Sequence, residues 1–141
     1  MPVYYLDLGI DEDFELIGIS SHEKDYRLAW ALNRSMNWSL TRITDIELSL
    51  KSQVSIHAQF QFEHPVDGHL YTLIDNKTEN GYLIPELIQF DYLIKIDQAS
   101  AAMDDDFYKG LRKTPFVLAV YPVDLAKVKS KQNLFYQQGT I

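Results

Sequence analysis

Hydrophobic and polar residues alternate along this chain in short runs, the period of strands, with one clear helical stripe among them. Near the start, Tyr4, Leu6, Leu8 and Ile10 share one face at period two and predict a strand. After the acidic turn Asp11-Glu12-Asp13, the stretch FELIGIS (residues 14–20) predicts a second. Ser20 and Glu23 stand at capping-box spacing, and Leu28, Ala29, Leu32 and Met36 then lie along one stripe, widened by Tyr26 and Trp30. The spacing predicts a helix over roughly residues 21–36 that ends near Asn37.

Three strands are expected next. In the first, Leu40, Ile46, Leu48 and Leu50 share a parity that Arg42 and Thr44 interrupt. In the second, Val54, Ile56, Ala58, Phe60 and Phe62 oppose Ser55, His57, Gln59 and Gln61, which predicts one face on a core and one in water. HPVDGH then reads as a hairpin turn in which Asp67-Gly68 takes positive φ, and LYTLIDN as the returning strand.

The most apolar stretch, YLIPELIQFDYLIKI (residues 82–96), contains a Pro-Glu step that no interior strand position suits. Phe90, Tyr92, Ile94 and Ile96 alternate with Asp91, Leu93, Lys95 and Asp97, so a regular strand is expected from near Gln89. Pro85 forces Ile84 to be extended, and Pro85-Glu86 reads as a break through which the chain comes into the strand. Further on, Asp104, Asp105 and Asp106 open a short helix, and Arg112 and Lys113 suit its other end. FVLAVY is apolar at both parities and predicts a central strand covered on both faces, with residues 124–135 as a weak helix. Together these elements predict a single α+β domain over residues 1–141. Its mostly antiparallel sheet should have about six or seven strands, with one long helix and one or two short helices packed on it.

Composition adds exclusions. Twenty acidic against 13 basic residues give a net charge of −7, which argues against a nucleic-acid or anionic-membrane partner. The absence of cysteine removes disulfides, thiolate metal sites and cysteine nucleophiles, and agrees with a reducing compartment. The first residues lack the basic region of a signal peptide, and no apolar run reaches membrane-spanning length, so a cytoplasmic location is expected.

Candidate chemistry is sparse. His64 and His69 flank a turn beside Glu63 and Asp67, a weak candidate for a divalent metal set against an ordinary polar turn. His57 is a general-base candidate if something packs over its strand face, and otherwise a solvated position; His22 suggests nothing beyond solvent contact. The three consecutive aspartates lack the spacing of a calcium loop, and no glycine-rich phosphate loop or nucleophile elbow is present. No catalytic residue and no cofactor is therefore expected. Tyr26, Trp30, Trp38, Tyr82, Tyr92, Phe107 and Tyr108, with Tyr4 and Tyr5, are too many rings for one small core, which leaves an interaction surface or ordinary partial burial with the polar tips in water.

Ile84, Pro85, Glu86, Phe90, Asp91 and Tyr92, in IPELIQFDY, resemble the signature of the IPExxxVDY family, small uncharacterised bacterial proteins. Phe90 stands where the family string has Val. DFELIGI (residues 13–19) and DYRLAWALN (residues 25–33) are also similar to that family's N-terminal half. The resemblance implies no activity, cofactor or partner; it marks Ile84, Pro85, Glu86, Asp91 and Tyr92 as a recurring unit, which either a strand entry or a binding site would explain, and Pro85, Glu86, Asp91 and Tyr92 are taken as the candidate binding residues. The expected function is a non-enzymatic module that binds a protein partner or itself. The alternative is a small-ligand binder or enzyme with a pocket near residues 84–92, where Glu86 or Asp91 would be acid or base.

Overall fold

A computed structural model describes residues 14–50, 52–97 and 103–135; the strand expected at Tyr4–Ile10 lies outside them. Six strands form one sheet: β1 (Phe14–Ser20), β2 (Thr41–Leu50), β3 (Gln53–Glu63), β4 (Leu70–Asp75), β7 (Tyr92–Asp97) and β8 (Ala119–Pro122). Their spatial order is β2-β3-β4-β7-β1-β8, and every neighbouring pair is antiparallel. Two-residue strands β5 (Lys77–Thr78) and β6 (Gly81–Tyr82) make a separate small hairpin. Helices α1 (Asp25–Met36) and α2 (Asp105–Lys113) complete an α+β fold. None of the helices among the described residues is long and apolar enough to cross a membrane.

Both faces of the sheet are buried, and different parts of the chain cover them. On one face, Ile17, Phe60, Leu73 and Ile94 lie under Leu28 and Leu32 of α1 and Leu111 of α2. Trp38 closes that core at a corner, its ring 5.5 Å from Phe62 and 5.2 Å from Tyr71. On the other face, Leu16, Ile46, Ile74 and Leu93 are covered by Leu83, Ile84, Leu87 and Phe90, with Val128 and Leu134 beside them. No α-helix takes part in this second cover. It is built from short 3-10 turns at Pro85–Leu87, Leu125–Lys127 and Lys131–Phe135, so the weak helix expected at residues 124–135 is two such turns instead.

Helix α1 ends as expected, with Asn37 left-handed at φ 59°. The Asn33 amide then donates to the Leu40 carbonyl and accepts from its N–H, fixing the turn into β2. The helix start differs from the capping-box reading. Lys24 occupies the cap position without a side-chain bond, Ser20 donates to the Gln89 carbonyl, and Ser21 accepts from Glu23 N–H. Tyr26 and Trp30 are exposed, because the stripe facing the sheet is narrower than the one expected; Ala31 takes part in it.

Three further expectations change for physical reasons. Strand β2 carries a bulge between Ile43 and Ile46, an extra residue that reverses which side chains face which core. Leu40 therefore joins the helix-side core and Ile46 and Leu48 the opposite one, although all share a sequence parity. On β3 the polar side chains Ser55, His57 and Gln59 are buried, while Val54 and Ile56 are 42% and 53% exposed. The alternation marked two faces correctly, but the second cover shields the polar one, and the helices do not extend over Val54 and Ile56. Finally, FVLAVY does not supply a central strand: β8 is at the sheet edge, with Val120 buried and Tyr121 58% exposed.

Candidate functional site

The Pro-Glu break is a 3-10 turn with Pro85 at its first position, where the missing N–H costs nothing. Ile84 before it is extended, and Leu87 N–H and Phe90 N–H bond the carbonyls of Ile84 and Leu87. The regular strand begins at Tyr92, three residues after Gln89.

Asn76, fully buried at the end of β4, holds this segment in place. Its Nδ2 donates to the carbonyls of Leu87 and Phe90, each at 2.9 Å, and its Oδ1 accepts from Ile84 N–H at 2.8 Å. Its backbone joins in, donating to Asp91 and accepting from Leu83. Phe90 meanwhile lies flat on β1 at Gly18: a Cβ built there would sit 2.3 Å from the ring. Glycine in a strand interior is justified by such a close approach. From outside, the Asn133 amide donates to the Leu83 carbonyl, and the Glu86 carboxylate accepts from the backbone and hydroxyl of Ser130.

The four candidate binding residues are not gathered in one place. Glu86 is exposed beside β8 and tied to Ser130, with Pro85 next to it at the surface. The Asp91 carboxylate accepts from Ser21 N–H at 2.9 Å, and buried Tyr92 donates its hydroxyl proton to the Glu23 carbonyl. Burial, with carboxylates around it, raises the Tyr92 pKa. Asp91 and Tyr92 border an open polar cleft with His22, Glu23, Lys77 and Glu79, separate from Glu86. Glu86 and Asp91, the two candidate acid or base groups, therefore do not share a site.

Glu86 instead borders a groove of about 490 Å³ running along β8. Its floor is apolar, from Leu87, Phe90, Tyr121, Pro122, Val123 and Val128. Glu86, Asp124 and Lys127 carry the charges on its rim. The rings of Tyr121 and Phe90 pack against each other within it, their centroids 6.1 Å apart. The groove takes in Glu86, Leu87, Gln89 and Phe90 of the stretch singled out in the sequence; what sequence reasoning missed is its other side, from Tyr121 to Val128, because FVLAVY was expected to be central.

The histidines are engaged in local structure. His64 Nδ1 accepts from Val66 N–H, and its backbone closes the hairpin with His69. Among the described residues no cluster of three His, Asp or Glu could hold a metal ion. His57 is completely buried; its Nδ1 lies 2.8 Å from the Asp75 carbonyl and its Nε2 2.8 Å from Ser55 Oγ. A carbonyl only accepts, so Nδ1 carries the proton and the serine hydroxyl donates to Nε2. Burial, slightly opposed by the Asp75 carbonyl, lowers the His57 pKa below the usual value of 6.5. The unfolded chain thus takes up the proton first as pH falls, and stability is lost from about pH 6.5 downward, at most about 1.4 kcal/mol per pH unit. Denaturant titrations between pH 7 and pH 5 should show this slope in the wild type and lose it in His57→Gln. An unchanged slope in the variant would remove His57 from the account.

One further cluster has a signal in the sequence that went unread. Tyr71, Leu73 and Asp75 share a face of β4, and that face is the buried, helix-covered one. Asp75 is therefore pushed inward, next to Asp25 at the start of α1, and burial with that neighbour raises its pKa to about 8. Its Oδ1 is buried without a hydrogen-bond partner.

Compared with protein families, with curated proteins and with solved structures, the chain matches none of them.

Proposed function

We propose that the protein is a non-enzymatic interaction module that receives an extended segment of a partner protein in the groove beside β8. The apolar floor that includes exposed Tyr121 carries this reading: it is a sheet-edge depression in which Glu86 is bonded to Ser130 and Asp124 to the Ala126 N–H. The outer side of β8 pairs with no strand among the described residues, so a peptide backbone can lie along its first residues. Pro122 offers no N–H and limits that pairing to the start of the strand. The occupant we favour has apolar residues at alternate positions with Lys or Arg between them. A chain of net charge −7 attracts basic segments and repels a second copy of itself.

The test is direct binding of labelled 12-residue peptides of that design, with acidic counterparts, to the wild type and to Tyr121→Glu. The basic set should bind the wild type and lose at least tenfold in the variant, about the cost of removing an interfacial tyrosine. Equal binding by both proteins, or none by either, would overturn the proposal. A small ligand is the second reading, favoured by a volume within the usual range of small-molecule sites. We also carry as proposals a bacterial, cytoplasmic setting and membership of the IPExxxVDY family; the string from Ile84 to Tyr92 supports the family.

A further inference from the structure

Independently of the groove, we propose that Asp75 and Asp25 share one proton, and that this proton latches the first turn of α1 onto the end of β4. Asp75 stands opposite Tyr92 in the register of β4 and β7, and the Tyr92 hydroxyl donates to the Glu23 carbonyl two residues before Asp25, so the start of α1 lies at the end of β4. With both ionised, two negative charges would meet at a half-buried position, and Asp75 Oδ1 would remain an orphan acceptor. One proton on Asp75 removes the repulsion and turns an unpartnered oxygen into a donor to Asp25. Asp75 is the residue to hold it, since its Oδ1 is the buried oxygen without a partner.

The surroundings supply no better counter-charge. Arg42 of β2 is the nearest cation, but its guanidinium is engaged 2.6 Å from Asp45. The Ala58 N–H of β3 offers the carboxyl a hydrogen bond. Tyr92 of β7 is turned to the Glu23 carbonyl, and Glu23 and Asp91 add negative charge around that ring. His57, on the other face, bonds the Asp75 carbonyl and stays neutral. Loss of the shared proton at alkaline pH therefore drives Asp25 away from Asp75 and loosens the turn in which Arg27 and Leu28 N–H bond the Lys24 carbonyl.

Amide exchange at Arg27 and Leu28, corrected for the intrinsic rate and followed from pH 6 to pH 9, tests the latch. Protection should fall at least tenfold in the wild type and stay level in Asp75→Asn, which cannot ionise. Asp25→Asn, a change at the surface-facing partner, should also stay level, and it serves if Asp75→Asn fails to fold. Constant protection in the wild type, or the same fall in the folded variants, would overturn the proposal.

Discussion

Gly18→Ala is expected to destabilise the protein by about 3 kcal/mol, at the upper end for overpacking a buried site. A methyl group there would fall within 2.4 Å of three ring atoms of Phe90, far inside van der Waals contact. The ring has little room to retreat: Phe90 is buried, with its backbone carbonyl held by Asn76. Shortening Phe90 to valine vacates the space, so Gly18→Ala should cost under about 1 kcal/mol in a Phe90→Val background. Urea unfolding of the wild type, the two single variants and the double variant gives that coupling directly. Additive losses would mean that the ring does not press on β1.

Asn76→Ala should be the other severe substitution, costing about 3–5 kcal/mol. It strands one buried N–H and removes the donor from two buried carbonyls, each a penalty of about 1–3 kcal/mol less any relaxation. Asn76→Asp is nearly the same shape and should be no milder, because a carboxylate cannot donate to the Leu87 and Phe90 carbonyls and would itself be buried. A thermal or urea midpoint for Asn76→Asp close to the wild type would contradict the role given to the amide.

How much of this was legible in the sequence depended on which physical signal each element carried. Strand β1, helix α1 with its Asn37 end, the Gly68 turn and α2 with aspartates at its start follow from periodicity and local charge, and the α+β class follows with them. The break at Pro85-Glu86 was readable as well, since proline restricts both its own position and the one before it. What escaped were features set by distant partners. Nothing near Ile43 announces a bulge, so Ile46 and Leu48 were assigned to the same core as Leu40. Nothing near His57 announces that turns some 30 and 70 residues later help cover its face of the sheet. Asn76 read as the end of the returning strand LYTLIDN, and its three side-chain bonds all reach residues 84–90. The candidate site was least legible: Glu86 is close to Asp91 and Tyr92 in sequence but lies apart from the cleft those two border, while the groove draws on Tyr121 and Val128 from beyond that stretch.

The central claim is that residues 83–91 are a fixed cover of the second core, and that binding belongs to the groove beside them. Native-state hydrogen exchange on the unmodified protein tests this most directly. The amides of Ile84, Leu87, Phe90 and Asp91 are bonded to Asn76, Ile84, Leu87 and Ile19. The account predicts that they exchange only through global unfolding, with the same free energy and denaturant dependence as the amides of β1 and β7. Exchange through local opening, several kcal/mol below the global value and insensitive to denaturant, would make the segment a mobile loop and contradict the claim.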